Sequence, residues 1–191
     1  MSLRPVFEHG AYPRNSYHRR AYSLRHRGRR HGETSLSAKK VCSWATLRKR
    51  LKQERAQGHS IVFTNGCFDL IHVGHLKVFE SCKKKGDVLV VGLNSDQSVR
   101  RLKGSKRPIL LEKDRARLLA GFAVVDFVII FKEDTPQRLI EMVRPDVLVK
   151  GGDWSQKEIV GREVAKKVVR IPFIKGQSTS QIIQKIAQRY G

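Results

Sequence analysis

The order of apolar runs predicts an α/β protein built on a doubly wound parallel sheet with flanking helices. Five short stretches carry that prediction: IVFTN at 61–65, VLVVGLN at 88–94, FVIIF at 127–131, VLVK at 147–150 and VVRIP at 168–172. Each is nearly continuously apolar, as a strand buried on both faces must be. Helical stretches fall between them, and strands that alternate with helices pair in parallel through crossovers. With 191 residues, 40% of them apolar, the chain has enough material for one compact domain.

The first 40 residues are different. They show no sustained apolar period, hold ten Lys or Arg against Glu8 and Glu33, and contribute +8 of the formal +22 charge. That composition predicts a disordered basic extension, 1–40, followed by a folded domain, 41–191. An RNA-binding arm, an Arg-rich transit peptide and a start codon placed too far upstream are its alternative readings. The other +14 lies in the domain itself and favours anionic partners: phosphorylated small molecules, nucleic acid or an anionic surface. No stretch approaches the roughly 18–20 apolar residues of a membrane span. The three cysteines Cys42, Cys67 and Cys82 form no C-x-x-C pair and point to a reducing, cytoplasmic setting without membrane association.

Structure is expected to begin near Trp44, where Trp44, Leu47 and Leu51 recur at helical spacing until Gly58. Further helices are expected at about 75–85, 112–121, 135–143, 156–166 and 179–189. In an open parallel sheet, ligands sit beyond the carboxyl ends of the strands, so the informative residues should follow strands.

The strongest motif does so. Thr64-Asn65-Gly66-Cys67-Phe68-Asp69-Leu70-Ile71-His72-Val73-Gly74-His75 runs from the first apolar strand into a helix. Gly66 suits a tight turn, Gly74 a close backbone approach, and a helix start offers N–H groups to phosphate. His72 and His75 stand at the same mouth and can donate to phosphate oxygens whose charge shifts during bond exchange. A metal site with Cys67 would need a second Cys/His cluster, which the sequence lacks, so no protein metal site is expected.

Three later segments fall at comparable places. Asn94, Ser95 and Asp96 follow the second strand, and Lys103, Lys106 and Arg107 form a basic loop around Gly104 that could close over an anion. Lys150, Gly151, Gly152, Asp153 and Trp154 follow the fourth, where paired glycines admit a base or ribose. Ser178, Thr179 and Ser180 open the last helix behind Gly176, a phosphate nest as much as a cap.

Together, TNGCFDLIHVGH, VGLNSDQSVRRLKGSKRPI, EDTPQRLIEMVRPDVLVKGGDW and GQSTSQII resemble the cytidylyltransferase-like nucleotidylyltransferases, whose signature is H-x-G-H after the first strand. Within that family the segments look most like the adenylyltransferase domains of bacterial ADP-heptose synthesis, over about residues 44–189. The resemblance implies a Rossmann-like five-stranded sheet and transfer of AMP from ATP, with Mg²⁺, to D-glycero-β-D-manno-heptose 1-phosphate. It implies catalytic roles for His72, His75 and Lys103, and nucleotide contacts from Asn65, Gly66, Cys67, Phe68, Gly74, Lys150, Gly151, Gly152, Asp153, Ser178, Thr179 and Ser180. It places Asp69, Asn94, Asp96, Arg107 and Arg115 toward the substrates, Arg115 on phosphate. A separate heptose kinase and a homodimer are the implied partners, with nucleic acid left to the basic extension alone.

Two departures bear on specificity. Lys175 stands where an acid commonly precedes the glycine, and Phe173 where cytidylyltransferases carry Arg, which speaks against CTP and polyol phosphates. The rivals are a CTP-dependent or flavin-adenylylating relative and, from another class, a basic nucleic-acid-binding protein.

Overall fold

A computed structural model describes residues 36–152, 159–172 and 178–190. The expectation of a disordered extension falls outside these residues as far as 35. Over 36–40 it is corrected: Leu36–Lys40 form a short helix, α1, leading into a two-residue strand β1, Val41–Cys42. Ser43 then caps α2, Trp44–Ala56, by accepting from the Thr46 N–H at 3.2 Å, and Leu47 and Leu51 point from α2 into the core. The remaining strands are β2 (Ile61–Gly66), β3 (Val88–Asn94), β4 (Phe127–Phe131), β5 (Val147–Gly151) and β6 (Lys167–Ile171). The helices between and after them are α3 (Val73–Lys83), α4 (Asp96–Lys103), α5 (Glu112–Gly121), α6 (Gln137–Val143) and α7 (Thr179–Tyr190).

The five expected strands are present, and β1 makes a sixth among the described residues. All pair in parallel in the order β1-β4-β3-β2-β5-β6. Because successive side chains on a strand face opposite ways, each strand feeds two cores. Ile61, Phe63, Val88, Val90, Ile129 and Leu148 pack with α2 and α6 through Leu47, Leu51, Leu139, Ile140 and Val143. Val62, Leu89, Val91, Val128 and Val149 pack with α3 and α5 through Phe79, Cys82, Ala116 and Leu119. This is the doubly wound, Rossmann-like architecture that the apolar runs predict.

Two expected features differ. The helix expected at 156–166 is absent from its described part: residues 160–166 are turns and bends. Gly161 there has φ +83°, and a Cβ on it would come within 2.6 Å of Ile140, so the chain reverses tightly against α6 instead of coiling. Helix α4 was not among the expected helices, and it takes Lys103, the first residue of the expected basic loop, as its last residue. Ser95 caps it by accepting from the Ser98 N–H, Asp96 supplies the acid of its first turn, and Gly104 ends it.

The chain winds outward from β2 through β3 to β4, then crosses back to lay β5 on the other side of β2. That reversal is the topological switch point, where the ends of neighbouring strands diverge and leave a crevice. Here the ladder between β2 and β5 covers only Val62 with Val147 and Phe63 with Leu148. Asn65 and Lys150 lie two register steps farther on, past the last paired residues.

Candidate active site

The crevice begins with the turn between β2 and α3. Phe68 adopts a left-handed backbone, φ 44°, and folds its ring back over Gly66, where an added Cβ would meet the ring at 3.1 Å. Gly66 is therefore favoured by the closeness of the Phe68 ring and not by its backbone angle, since its φ lies outside the left-handed region that a tight glycine turn would use. The same ring meets His75 edge-on at 5.2 Å and Phe79 at 5.3 Å, giving His75 an apolar wall.

His72 caps α3. Its Nδ1 accepts from the Gly74 N–H at 3.1 Å, and His75 Nδ1 lies 3.4 Å from the His72 N–H in the return contact of a capping box. The rings stack with centroids 3.8 Å apart. An imidazole whose Nδ1 accepts must, when neutral, carry its proton on Nε2, so both rings are Nε2–H donors. Burial holds the His72 pKa below its ordinary value. Burial, followed by the neighbouring His72, lowers that of His75 to about 4. Both rings are neutral at physiological pH.

Two of the N–H groups expected to be open at the helix start are already taken. Gly74 N–H is held by the His72 ring and His75 N–H by the His72 carbonyl at 2.9 Å. The imidazoles thus replace the backbone as the outward donors of α3, a consequence of a histidine occupying its own cap.

Around this turn lies a buried ionic frame. Arg115, fully buried on α5, donates from Nε to the Leu110 carbonyl (3.0 Å), from Nη1 to the carbonyls of Cys67 (2.5 Å) and Asn94 (2.9 Å), and from Nη2 to Asp96 Oδ1 (2.6 Å). Four of its five N–H groups are so engaged. Asp69, also buried, accepts from Arg107 Nε at 2.5 Å and from the N–H groups of Ile109 and Leu110. Asn94 is buried and turns its amide to Ser98 Oγ at 3.0 Å. The Asp96 N–H is taken by Glu112 Oε2.

These five residues were expected to touch the substrates. The structure brings them to the crevice and engages them with one another, so that they lock the H-x-G-H turn, the end of β3 and the 107–111 segment together. Arg115 in particular sits in the wall, with four of its five N–H groups on protein acceptors. The pattern of charges gave no sign of this, because a carboxylate that binds ligand and one that binds a buried arginine look alike in sequence.

Lys103 is exposed at the end of α4, and its field reaches Cys67, whose thiol pKa is nevertheless raised by burial against the pull of Lys103, Arg115 and Arg107. Across the crevice, Lys150 Nζ donates to Asn65 Oδ1, joining β5 to β2 where their ladder has stopped. Gly152 N–H bonds the Ile171 carbonyl at 2.9 Å and ties β5 to β6. Ser178 Oγ accepts from the Gln181 N–H as an ordinary cap, Ser180 is exposed, and Thr179 Oγ1 lies 3.4 Å from the Leu70 carbonyl. That last contact brings the start of α7 to the H-x-G-H turn. Asp153, Trp154, Phe173, Lys175 and Gly176 lie outside the described residues.

The cytidylyltransferase-like family model matches residues 63–185, from β2 into α7 and across every element just described. The chain belongs to the cytidylyltransferase-like family. Among curated relatives, the bifunctional protein HldE of Geobacter metallireducens is 49% identical over 168 residues, covering 86% of this chain and 34% of that protein. Its counterparts in Wolinella succinogenes (51% over 150 residues; 78% and 32% covered) and Helicobacter pylori (53% over 144 residues; 75% and 31%) are similarly close. The chain thus spans about one third of the length of these relatives. Among solved structures, a lipopolysaccharide core biosynthesis protein from Thermoplasma volcanium superposes with a TM-score of 0.54 at 32% identity, covering 62% of this chain and all of that one.

Proposed function

We propose that this chain is a nucleotidylyltransferase that moves AMP from ATP to a sugar 1-phosphate, D-glycero-β-D-manno-heptose 1-phosphate, and releases pyrophosphate. The observation that carries the reading is the stacked, neutral pair His72 and His75, each with Nδ1 occupied by backbone and Nε2–H free to donate. Family membership, the HldE relatives and the lipopolysaccharide-core neighbour support the heptose assignment.

The acceptor phosphate is already an anion and needs no general base. One of its oxygens forms a bond to the α-phosphorus of ATP while the bond from that phosphorus to the bridging oxygen breaks, and the electron pair leaves with pyrophosphate. Charge on the oxygens around that phosphorus is redistributed during the exchange. Neutral N–H donors fixed beforehand strengthen their bonds at that moment without reorganising. Lys103, on an exposed helix end, can follow the leaving phosphates, and Thr179 and Ser180 stand at a helix start turned to the same loop.

Magnesium would accompany the triphosphate and neutralise its charge. Among the described residues no group of three His, Cys, Asp or Glu could hold a metal ion, and Asp69 and Asp96 are tied to arginines. The described residues therefore offer no cage, and phosphate oxygens and water would be the fitting ligands.

A sugar kinase must supply the anomeric phosphate, and the presence of ATP and reduced thiols suits the cytoplasm. Among the described residues no helix is long and apolar enough to cross a membrane. A homodimer is the proposed assembly, supported by the exposed apolar side chains Leu102, Ile109 and Leu111, and sedimentation of the purified protein tests it. The basic extension is the segment proposed for any nucleic-acid contact, and a chain starting near Val41 should keep full activity.

The deciding experiment measures pyrophosphate release with ATP or CTP against heptose 1-phosphate, glycerol phosphate and flavin mononucleotide. Turnover confined to ATP and heptose 1-phosphate is expected. His75→Ala should lower it about 10²- to 10³-fold, the usual loss for one preorganised donor, with an unchanged circular dichroism spectrum. Near-normal turnover in that variant would reject the assignment.

A further inference from the structure

We propose that Lys150 is a further catalytic residue, whose ammonium binds a phosphoryl oxygen in the crevice between β2 and β5. This deepens the adenylyltransferase reading by adding a cation on the side of the site opposite His72 and His75. It also gives Lys150 a different ligand from the base or ribose that the neighbouring glycines suggest.

The placement comes from the sheet. Lys150 and Asn65 stand level with each other just past the last rung of the β2–β5 ladder, where the strands part. Their side chains bridge the gap, with Lys150 Nζ donating to Asn65 Oδ1. The Asn65 amide oxygen thereby aims the ammonium at the switch-point crevice, while two of its three N–H bonds are left for another acceptor.

The second observation is the missing counter-charge. The buried cations around the crevice have carboxylates: Arg115 has Asp96 and Arg107 has Asp69. Lysines that tie the opposite edge of the sheet do too, Lys83 to Asp126 and Lys166 to Asp146. Lys150 is partly buried, and among the described residues its partner is a neutral amide. Burial lowers its pKa to about 8. Holding an ammonium in such a place costs stability, and the cost is recovered when an anion arrives.

The test compares Lys150→Met and Lys150→Arg with wild type by calorimetric titration of MgATP alone and of heptose 1-phosphate alone, with melting temperature and turnover alongside. Methionine keeps the unbranched apolar stem of the side chain, one atom shorter, and removes the charge, so the unliganded variant should melt at or above the wild-type temperature. Affinity for one of the two ligands should fall at least tenfold, which identifies the source of the phosphoryl group, and kcat/KM should fall about 100-fold. Arginine should restore part of both. Unchanged affinities for both ligands with a lowered melting temperature would make Lys150 a structural tie and overturn the inference. Loss of MgATP affinity in Lys150→Met would uphold the inference even if wild type transferred AMP to no acceptor offered, an outcome that would sink the proposed function instead.

Discussion

The two ends of the sheet are built from the same residue types and do opposite things with them. At the amino-terminal end, Asp87, Asp126 and Asp146 each accept from a backbone N–H where a strand begins, at Ser60, Leu89 and Ile61. Asp126 is also bound by Lys83 and Asp146 by Lys166. A cavity of about 560 Å³ lies there, lined among others by Lys40, Glu54, His59, Lys83, Asp87 and Asp126. Most of its polar groups are answered from within: His59 meets Glu54, Lys83 meets Asp126, and Lys40, which has no acid, donates to the Phe122 carbonyl. At the carboxyl end Asp69 and Asp96 are held by Arg107 and Arg115, and among the described residues Lys103 and Lys150 have no ion pair, while His72 and His75 are held by backbone N–H groups at Nδ1. A volume whose polar groups satisfy one another has little to offer a ligand, whereas donors left without acceptors have much. The carboxyl end is therefore the one we propose as functional.

This contrast can be broken most severely at Arg115. Removing one partner of a buried pair leaves the other charged and unpaired, which typically costs about 3–5 kcal/mol. Arg115→Ala also abandons the carbonyls of Cys67, Asn94 and Leu110. Urea denaturation should show a loss of that size, with activity falling because the H-x-G-H turn loses its anchor. An Arg115→Ala protein as stable as wild type, defective only in substrate affinity, would return Arg115 to the ligand-contacting role that the family resemblance implies.

At the other end the effect should be smaller and silent in catalysis. Asp126→Asn keeps an acceptor for the Leu89 N–H but weakens the half-exposed pair with Lys83, and exposed pairs contribute about 0–1 kcal/mol. The midpoint of urea unfolding should move slightly downward and kcat/KM should stay at the wild-type value. A change in kcat/KM at this distance from the crevice would show that the two ends are not independent.

How far this division was visible in the sequence depends on what each residue needed to declare itself. The strands were visible because burial on both faces leaves unbroken apolar runs, and the H-x-G-H turn because its histidines and glycines are unusual company between a strand and a helix. Strand β1 was not, since two residues carry no period, and it is fixed only by pairing with Val128 and Ile129 on β4. Helix α4 had a serine cap, an acid in its first turn and a terminal glycine, but within it Val99 is the buried apolar residue and Leu102 stays exposed, too thin a stripe to mark a helix. The frame around Arg115 was hidden for a different reason. Partners 19 and 38 residues apart in sequence, Asp96 with Arg115 and Asp69 with Arg107, meet only once the strand ends have been brought together. The bridge from Asn65 to Lys150, 85 residues long in sequence, depends on the same crossing.

The mildest way to sharpen the comparison is acid. His75 has a pKa near 6.5 when unfolded and about 4 when folded, because burial and the neighbouring His72 oppose its protonation. Between those values the unfolded chain binds the proton more readily, so stability rises with pH through this window. The contribution is complete above about pH 6.5 and is lost progressively as pH falls toward 4. His75→Gln, which cannot titrate, should flatten this part of the stability profile measured by urea unfolding at successive pH values. Aspartates at the amino-terminal edge behave in a distinguishable way: backbone hydrogen bonds hold the Asp87 and Asp146 carboxyls below their ordinary value, so their contribution disappears at still lower pH, in His75→Gln and wild type alike. His72, whose pKa burial also lowers, leaves a remainder in both proteins; a slope between pH 4 and 6.5 as steep in His75→Gln as in wild type would mean that the His75 imidazole is not desolvated as its contacts with Phe68 and His72 require, and the neutral-donor role assigned to it would lose its footing.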